Sequence, residues 1–566
     1  MARSVLSIVV FLWLAVPYAA FAAPSKLDAT LAARADAPRG VSRVIITTVD
    51  GTSLDRAIRM AGGIAGRRLP SVDGQVALLP DAALLRLAAL PQVLSLAIDR
   101  PVAGAMERTA ATVGAGWVRE SLGLDGSGVG VAIIDSGVTN WHDDLTAARV
   151  RHFVDFVSNL PVAHDGYGHG THVAGIIAGS GYDSNGARRG IAPGADLVVL
   201  KVLDASGDGH ISDVIAAIDY VVEQRDRFNI RVINLSVAAG VYESYRTDPL
   251  TLAAKRATDA GIIVVTAAGN HGRGSRGQAQ HGGISSPGNA PWVLTVGATN
   301  HQKTVSRADD TVAPFSSRGP TLIDRAMKPD LLAPGVGIES LADPGSTLFA
   351  GNPDARIPGA VDTATPPYLS LTGTSMAAPV VAGTIALMLE ANPALTPNLV
   401  KAILHYTAER RPRFELAAQG AGFLNARGAV QLAATLAGSG EAIDDPTLWS
   451  RQILWGSLRV RGGVLTSDGT AWRPDVIWGA STTPDGEAIT WGRRPDGENT
   501  WGARGTERLD ENLDQYDTTA AAAFFEEVAL GQLAWAASKT PGAHGAGHPW
   551  MPAIPIERRR KDALTP

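Results

Sequence analysis

One pattern repeats between residues 129 and 436: short, nearly continuous apolar runs alternate with stretches of helical periodicity. Strands that are apolar on both faces need cover on both sides, and helices that follow each strand supply it. The pattern therefore predicts an α/β domain built on a parallel sheet with helices on both faces. The runs are 129–134, 197–202, 230–235, 262–266 and 293–296, and the helical stretches are 170–178, 211–225, 250–260 and 375–391.

The first 22 residues have the features of an export signal. Arg3 precedes a mostly apolar stretch over 5–20, and the triplet 20–22 (Ala-Phe-Ala) places small residues where a signal peptidase cuts, before Ala23. An uncleaved N-terminal anchor is the alternative, but the run is short for a membrane span and Pro17 interrupts it. We expect a secreted protein, extracellular or, in a bacterium, periplasmic or cell-envelope, with no transmembrane span in the mature chain.

A small unit is predicted before the main domain. Residues 23–40 are alanine-rich and polar, and we expect them to be loose. Strand patterns at 43–49, 75–79 and 93–98 and helical patterns at 53–60 and 81–90 then predict a miniature β-α-β-β fold over 43–102.

Residues 438–566 differ in composition from the rest. Eight of the 12 tryptophans lie there, and four of them form Trp-Gly pairs at 455, 478, 491 and 501. The spacing is too irregular for a repeat architecture. Two interpretations remain open: a partly ordered tail that packs on the main domain or stays mobile, and a short hairpin-like binding appendage.

Composition excludes several kinds of chemistry. The chain has no cysteine, so it has no disulfide, no thiolate metal site and no cysteine nucleophile. Its formal charge of −5 gives no basic surface for nucleic acid.

Side chains able to do chemistry stand at the ends of the predicted strands and the starts of the helices. Open parallel sheets place their working residues past the carboxyl ends of strands. Asp135 follows the first run directly, and His169 begins a helix. Alone, an aspartate at a strand end is most often a helix cap or a metal ligand, and a histidine at a helix start is usually a cap or a satisfied polar group. His172, three residues on, faces an apolar helix side and is interpreted as structural, since no third ligand with metal-site spacing accompanies the two histidines.

Ser375 stands at the start of the most apolar helix, where a serine is ordinarily a cap. The unpaired N–H groups of a helix start also stabilise an anion formed beside the serine. A serine hydroxyl needs a neutral imidazole as base, and that imidazole needs a carboxylate to orient it. Asn270, at the end of another run, could donate its side-chain N–H to an oxyanion.

These segments resemble the subtilisin-like serine proteases, the subtilases of peptidase family S8. The matching motifs occur in that family's chain order: DSG at 135–137, HGTHVAG at 169–175, AAGN at 267–270 and GTSMAAP at 373–379. The order Asp, His, Ser differs from that of chymotrypsin-like enzymes, and 373–377 lacks the last glycine of the GxSxG motif. The similarity covers about residues 110–436 and implies a three-layer fold with a mostly parallel central sheet.

The resemblance also implies roles. Ser375 would be the nucleophile, His169 the general base and then acid, Asp135 the orienting carboxylate and Asn270 the oxyanion donor. A second set would bind substrate: an extended edge formed by Ser236, Val237 and Ala238, and a pocket lined by Ala267, Ala268 and Gly269. The family usually has Ser-Leu-Gly where this chain has Ser236, Val237 and Ala238, which affects the shape of that pocket.

The resemblance implies an enzyme that needs no cofactor for catalysis. Calcium is the usual structural ion of the family. Asp144 matches a common ligand position, whereas the loop at 182–189 departs from the usual ligand loop, with two arginines beside one carboxylate. A structural calcium is therefore an open expectation, with Asp144 as its weak candidate ligand.

Together these features predict a secreted serine endopeptidase that is made as an autoprocessed zymogen. We expect a signal peptide at 1–22, an inhibitory propeptide at 23–106, a peptidase domain at 107–437 and an extension at 438–566, with the maturation cut near 102–112. Proteins or peptides would be its substrates, its own propeptide an intramolecular inhibitor, and the enzyme a monomer. The alternatives are a non-catalytic binding protein on a subtilase scaffold and an esterase or amidase of small acyl substrates.

Overall fold

The chain divides into two compact units, Met1–Val102 and Ala103–Pro566. The predicted signal at 1–22 lies outside the residues that the structure, a computed structural model, describes. Those residues are 26–27, 29–69, 73–98, 105–146, 148–274, 277–439, 446–496, 500–502, 507–509 and 515–523.

The first unit is an antiparallel sheet with three helices, and its strand order is β2-β3-β1-β4. In chain order its elements are α1 Ala29–Asp36, β1 Val41–Thr48, α2 Asp55–Met60, β2 Ile64–Leu69, β3 Gly74–Pro80, α3 Leu84–Ala88 and β4 Val93–Ile98. The predicted strands and helices of 43–98 are confirmed. The expectation of a loose segment at 23–40 is wrong over Ala29–Asp36, because α1 places Leu31 and Ala35 one helical turn apart in the core of this unit. Strand β2 was not predicted, since its sequence IAGRRL lacks an apolar alternation.

The second unit contains a mostly parallel sheet. Its strand order is β11-β10-β9-β8-β5-β7-β6, with β12 paired to β10, and only the short β11 runs antiparallel to its neighbour. The predicted helices and four of the five predicted runs appear within two residues of their expected bounds, whereas the run predicted at 293–296 extends four residues further, to Asn300. In chain order the elements up to the last sheet strand are α4 Ala105–Val113, α5 Ala115–Leu122, β5 Gly130–Asp135, β6 Val150–Asp155, α6 His169–Ala178, β7 Asp196–Lys201, α7 Ile211–Gln224, β8 Ile230–Leu235, α8 Pro249–Asp259, β9 Ile263–Ala267, β10 Leu294–Asn300, β11 Thr311–Val312 and β12 Leu331–Pro334.

Alternate residues of the central strand enter two separate apolar layers. On β5, Val131 and Ile133 belong to the core shared with α6 and with the helix at 374–391. Ala132 and Ile134 belong to the core shared with α7 and α8. The three-layer α/β fold is thereby confirmed. Elements that follow β12 are β13 Ile338–Leu341, α9 Thr347–Gly351, β14 Arg356–Ile357, β15 Tyr368–Leu371, α10 Thr374–Ala391, α11 Pro397–Thr407, α12 Leu416–Gln419 and α13 Ala426–Leu436.

Helix α10 runs through the middle of this unit. It is long and apolar enough to cross a membrane, but 89% of it is buried inside the protein. It packs against α6 and against strands β8, β9 and β10. Its burial identifies it as the core helix of a globular domain.

The C-terminal segment is part of the same core. Its elements are β16 Gln452–Trp455, β17 Leu458–Arg461, β18 Val464–Leu465, β19 Thr490–Arg493, β20 Thr500–Gly502 and β21 Glu507–Arg508. The rings of Trp455, Trp478, Trp491 and Trp501 are buried and join the apolar core of α6 and α10. Over these residues the segment packs on the main domain, as the first of the two interpretations allowed, and it does not stay apart as a hairpin-like appendage.

Its Trp-Gly pairs have a structural explanation. Each tryptophan fills the core, and the glycine after it lets the chain turn at once or approach another backbone. Gly456 and Gly479 both have positive φ, +58° and +92°, and a Cβ on Gly456 would lie 2.9 Å from the Cα of Gly479. Only glycine fits at such a crossing.

Candidate active site

Asp135 is the last residue of the central strand and is completely buried. Its Oδ1 accepts a hydrogen bond from the backbone N–H of Ser136 at 2.7 Å and lies 2.8 Å from Nδ1 of His169. The chain turns sharply at Gly137, where φ is +118° and a Cβ would overlap the carbonyl oxygen of His164. This turn keeps Asp135 at the carboxyl edge of the sheet.

His169 is the first residue of α6, and it too is buried. Gly170 allows the helix start to reach the turn after β5, because a Cβ there would overlap the carbonyl oxygen of Gly137. The contact between Asp135 and His169 thus depends on glycines in both motifs. The Nδ1 nitrogen donates to Asp135, which leaves Nε2 as the basic nitrogen when the ring is neutral.

Burial disfavours the charged form of His169, but the charge of Asp135, its hydrogen bond and the charge of Asp165 outweigh that effect and raise the pKa of His169 above its ordinary value. An imidazole with a raised pKa is a stronger base and stabilises better the positive charge that it gains.

His172 has a different environment. Its Nε2 lies 3.1 Å from the carbonyl oxygen of Ile338 and 3.0 Å from that of Leu369, so it serves as a donor. Burial lowers the pKa of His172 to about 3, which keeps the ring neutral. These contacts agree with the structural role expected for this histidine.

Ser375 is the second residue of α10 and is 3% exposed. Its hydroxyl donates to the carbonyl oxygen of Ser236 at 3.0 Å, and the hydroxyl of Ser236 donates back to the carbonyl oxygen of Ser375 at 3.0 Å. Ser236 directly follows β8, the neighbour of β5. The start of α10 is therefore fixed to the same sheet edge that carries Asp135.

Asn270 is oriented by the residue before the predicted nucleophile. Its side-chain oxygen accepts from the backbone N–H and from the hydroxyl of Thr374, both at 3.0 Å. A backbone N–H can only donate, so the amide oxygen must face Thr374 and the amide nitrogen must face away from it. Thr374 was not singled out from the sequence, where a threonine beside a serine carries no distinctive signal.

The two predicted substrate-binding segments also meet at this edge. Ser236, Val237 and Ala238 follow β8, and Ala267 ends β9 with Ala268 and Gly269 directly after it, on the adjacent strand. Ser285 lies behind the second segment: its N–H donates to the carbonyl of Ala268 at 3.1 Å, and a Cβ on Gly269 would lie 2.5 Å from its hydroxyl. This serine was not predicted from the sequence, because it lies outside both predicted segments.

A candidate metal cluster lies apart from these residues. His142, Asp144 and Asp183 are buried, with ligand atoms within 4.8 Å of one another. Both oxygens of Asp144 already accept protein hydrogen bonds, from the N–H of Asp183 at 2.8 Å and the hydroxyl of Tyr368 at 2.9 Å. The ring of His142 accepts from the N–H of Asp144 and lies 2.8 Å from the carbonyl oxygen of Pro367.

Calcium takes about six to eight oxygen ligands, of which carboxylates and carbonyls are the usual ones. This cluster offers two carboxylates, one of which already accepts a hydrogen bond on each oxygen, and an imidazole, which calcium does not prefer. The donor set does not fit the calcium that the resemblance implies at Asp144.

Comparison with known proteins agrees with the geometry. The model of the subtilase family matches residues 126–429, more than half of the chain. Serine protease AprX of Bacillus subtilis (strain 168) is 39% identical over 318 residues, which cover 55% of this chain and 68% of that protein. Subtilisin Savinase of Lederbergia lenta is 35% identical over 309 residues, 55% of this chain and 93% of that protein.

Among solved structures, one described as a cold adapted subtilisin-like serine proteinase is 30% identical, with a TM-score of 0.40, and covers 54% of this chain and 90% of that one. The family match and the two relatives define the class: the chain belongs to the subtilase family. It is a subtilisin-like serine-type endopeptidase.

Proposed function

We propose that this chain hydrolyses peptide bonds through a triad of Asp135, His169 and Ser375 and an acyl-enzyme intermediate. The observation that carries the proposal is the buried 2.8 Å contact between Asp135 and His169 at the sheet edge where α10 begins. A carboxylate on Nδ1 fixes the tautomer in which Nε2 accepts a proton.

The reaction would proceed in two halves. The oxygen of Ser375 attacks the scissile carbonyl carbon while its proton passes to Nε2 of His169, and the new oxyanion is held by the amide of Asn270 and the N–H of Ser375. The C–N bond then breaks, and His169 gives its proton to the leaving amine. Water repeats the sequence on the acyl-enzyme, and the acid is released with free Ser375.

The hydrogen bonding of the Ser375 hydroxyl is part of this mechanism. This hydroxyl lies 3.0 Å from the carbonyl oxygen of Ser236 in the structure. We propose that it gives its proton to His169 when substrate occupies the edge formed by 236–238, because catalytic hydrogen bonds often tighten only in the complex.

A fluorophosphonate probe tests this mechanism. It is expected to label the matured wild-type enzyme at Ser375, and Ser375→Ala is expected to abolish both labelling and casein hydrolysis. Ser439→Ala, at an exposed serine after α13, serves as the matched control and should behave as wild type. Labelling that survives in Ser375→Ala would overturn the assignment.

The same samples separate the other two functions. A non-catalytic binding protein would show no casein hydrolysis in its matured form. An esterase or amidase would turn over small acyl esters but leave casein and longer peptides intact. Hydrolysis of casein and of longer peptides supports the endopeptidase, whatever the rate with small esters.

We further propose that the first unit is an inhibitory propeptide and that the enzyme is exported and processes itself. The proposal is supported by the division of the chain, in which this unit is compact and separate from the second.

Helix α4 helps to locate the maturation cut. Ala110 and Val113 lie in the core of the second unit, and the hydroxyl of Thr112 donates to the carbonyl of Thr304 at 3.3 Å.

A cut within α4 would expose that apolar face, so we place it before Ala105 rather than at the predicted boundary after residue 106. N-terminal sequencing of the secreted protein should find a first residue between 99 and 105. A first residue beyond Ala105 would contradict this placement, and an intact N-terminus on an active enzyme would rule out processing.

A further inference from the structure

A second buried carboxylate lies beside the predicted triad. Asp165 is 3% exposed and precedes α6 by four residues. Its Oδ1 accepts from the backbone N–H of Gly168 at 2.7 Å and the hydroxyl of Ser136 at 2.8 Å. Its Oδ2 accepts from the backbone N–H of Thr171 at 2.8 Å and the hydroxyl of Thr171 at 2.7 Å.

These partners are all donors. In the described part of the chain, no arginine or lysine forms an ion pair with Asp165. The charge is therefore stabilised by hydrogen bonds and by the start of α6, whose dipole favours a negative group. Each carboxylate oxygen of Asp165 accepts a hydrogen bond from a backbone N–H, so both oxygens must be acceptors.

Ser136 connects the two carboxylates. Its backbone N–H donates to Asp135, its hydroxyl donates to Asp165, and the same hydroxyl accepts from the N–H of Gly170 at 2.9 Å. A further link joins the strand end to the helix, because the N–H of Thr139 donates to the hydroxyl of Thr171 at 3.0 Å. His169 thus stands between two fixed points, Gly168 and Thr171.

We propose that Asp165 is a positioning residue of the triad: it holds the first turn of α6 against the end of β5 and supplies a second negative charge to the imidazolium that His169 becomes. This inference rests on the proposed function, in which His169 gains a proton during the reaction. Asp135 orients the ring directly, whereas Asp165 acts through the helix start and through Ser136.

The other titratable groups near His169 do not supply that charge. Burial lowers the pKa of His172 to about 3, so that ring is neutral. The ring of Tyr167 lies 6.2 Å from that of His169, and burial raises the pKa of Tyr167 to about 12, so it is neutral as well. Asp135 and Asp165 are the negative groups that raise the pKa of His169.

The test is the pH profile of kcat/KM for Asp165→Asn, measured with a soluble peptide substrate. The substitution keeps the shape but places an NH2 group against a backbone N–H and removes the charge. We expect kcat to fall about 10–100-fold, by analogy with the loss found when a hydrogen-bonded partner behind a metal-binding side chain is removed. KM should change little. The acid limb of the profile, where kcat/KM falls as the pH decreases, should move to lower pH.

Two variants complete the design. Asp165→Glu restores the charge and should return the acid limb towards its wild-type position. Asp155→Asn is the matched control, because Asp155 is a buried carboxylate that, like Asp165, accepts hydrogen bonds from backbone N–H groups but lies outside the network of Asp135. It should leave the acid limb in place.

An unshifted limb with wild-type kcat in Asp165→Asn would overturn the inference, as would an equal shift in Asp155→Asn. If Asp165→Asn yields no mature enzyme, Ser136→Ala replaces it. This substitution removes the hydroxyl that connects Asp165 to the end of β5 and keeps both carboxylate charges. We then expect kcat to fall and the acid limb of the pH profile to stay in place. Unchanged kcat there would also overturn it. Wild-type enzyme without activity or Ser375 labelling would instead refute the proposed function, so the two failures are distinguishable.

Discussion

The side-chain oxygen of Asn270 accepts two hydrogen bonds from Thr374, one from its N–H and one from its hydroxyl, both 3.0 Å long. The residue before the proposed nucleophile thereby fixes the direction of the amide that would receive the oxyanion. A fixed donor needs no reorganisation when negative charge develops, and this is the condition under which such a donor stabilises a transition state most.

Asn270→Ala should therefore lower kcat by about 10²–10³-fold, the cost found for removal of an oxyanion donor in a member of this family, with KM nearly unchanged. Thr374→Val, which removes the hydroxyl and keeps the N–H, should lower kcat less. Steady-state kinetics on one peptide substrate measure both variants. A rise in KM at constant kcat would show that Asn270 binds substrate equally in both states.

The pH dependence of the wild-type enzyme follows from His169. Protonated His169 cannot accept the proton of Ser375, so kcat/KM should fall as pH decreases through the pKa of this histidine. Because Asp135 and Asp165 raise that pKa, the midpoint of the acid limb should lie above the ordinary value of about 6.5. A midpoint clearly below that value would contradict the electrostatic account.

The C-terminal tryptophans should matter for stability. Trp455 is fully buried, and its ring N–H donates to the carbonyl of Ala480 at 2.8 Å. Trp455→Ala should reduce the free energy of unfolding by about 3–5 kcal/mol, as expected for loss of a buried aromatic side chain. Trp141→Ala, at a tryptophan that is 44% exposed, is the matched control and should cost much less.

Thermal or urea unfolding of both variants measures the difference. Equal losses would mean that the C-terminal segment does not share the core of the peptidase domain in solution.

Removal of metal ions should have little effect through the cluster at Asp144. Its carboxylate is satisfied by Asp183 and Tyr368, so a chelator should leave the melting temperature nearly unchanged. Tyr368→Phe should instead cost about 1.5–3 kcal/mol, the value of a hydrogen bond to a charged group. A large loss on chelation that calcium reverses, and that Tyr368→Phe changes, would place an ion at this cluster.

Much of the site could be predicted before any contact was known. Asp135, His169 and Asn270 stand at strand ends and helix starts, positions that are defined by local periodicity. The sequence order of the strands does not reveal that β9, β8 and β5 are neighbours, but the carboxyl ends of parallel strands share an edge whatever their order.

Asp165 shows what local patterns miss. In the sequence it is one aspartate among glycines, a composition typical of an ordinary loop. Its role depends on Ser136, which is 29 residues away in the chain and meets it only when α6 packs on β5.

The sequence by itself determined the layered α/β architecture and which side chains are proposed to be catalytic, because both depend on short-range periodicity and on short motifs. Only the tertiary structure decided where the C-terminal tryptophans lie, that two carboxylates lie near His169, and that both oxygens of Asp144 accept hydrogen bonds from the protein. Those features consist of contacts between distant segments, and long-range packing selects them from many partners that are equally compatible with the local sequence.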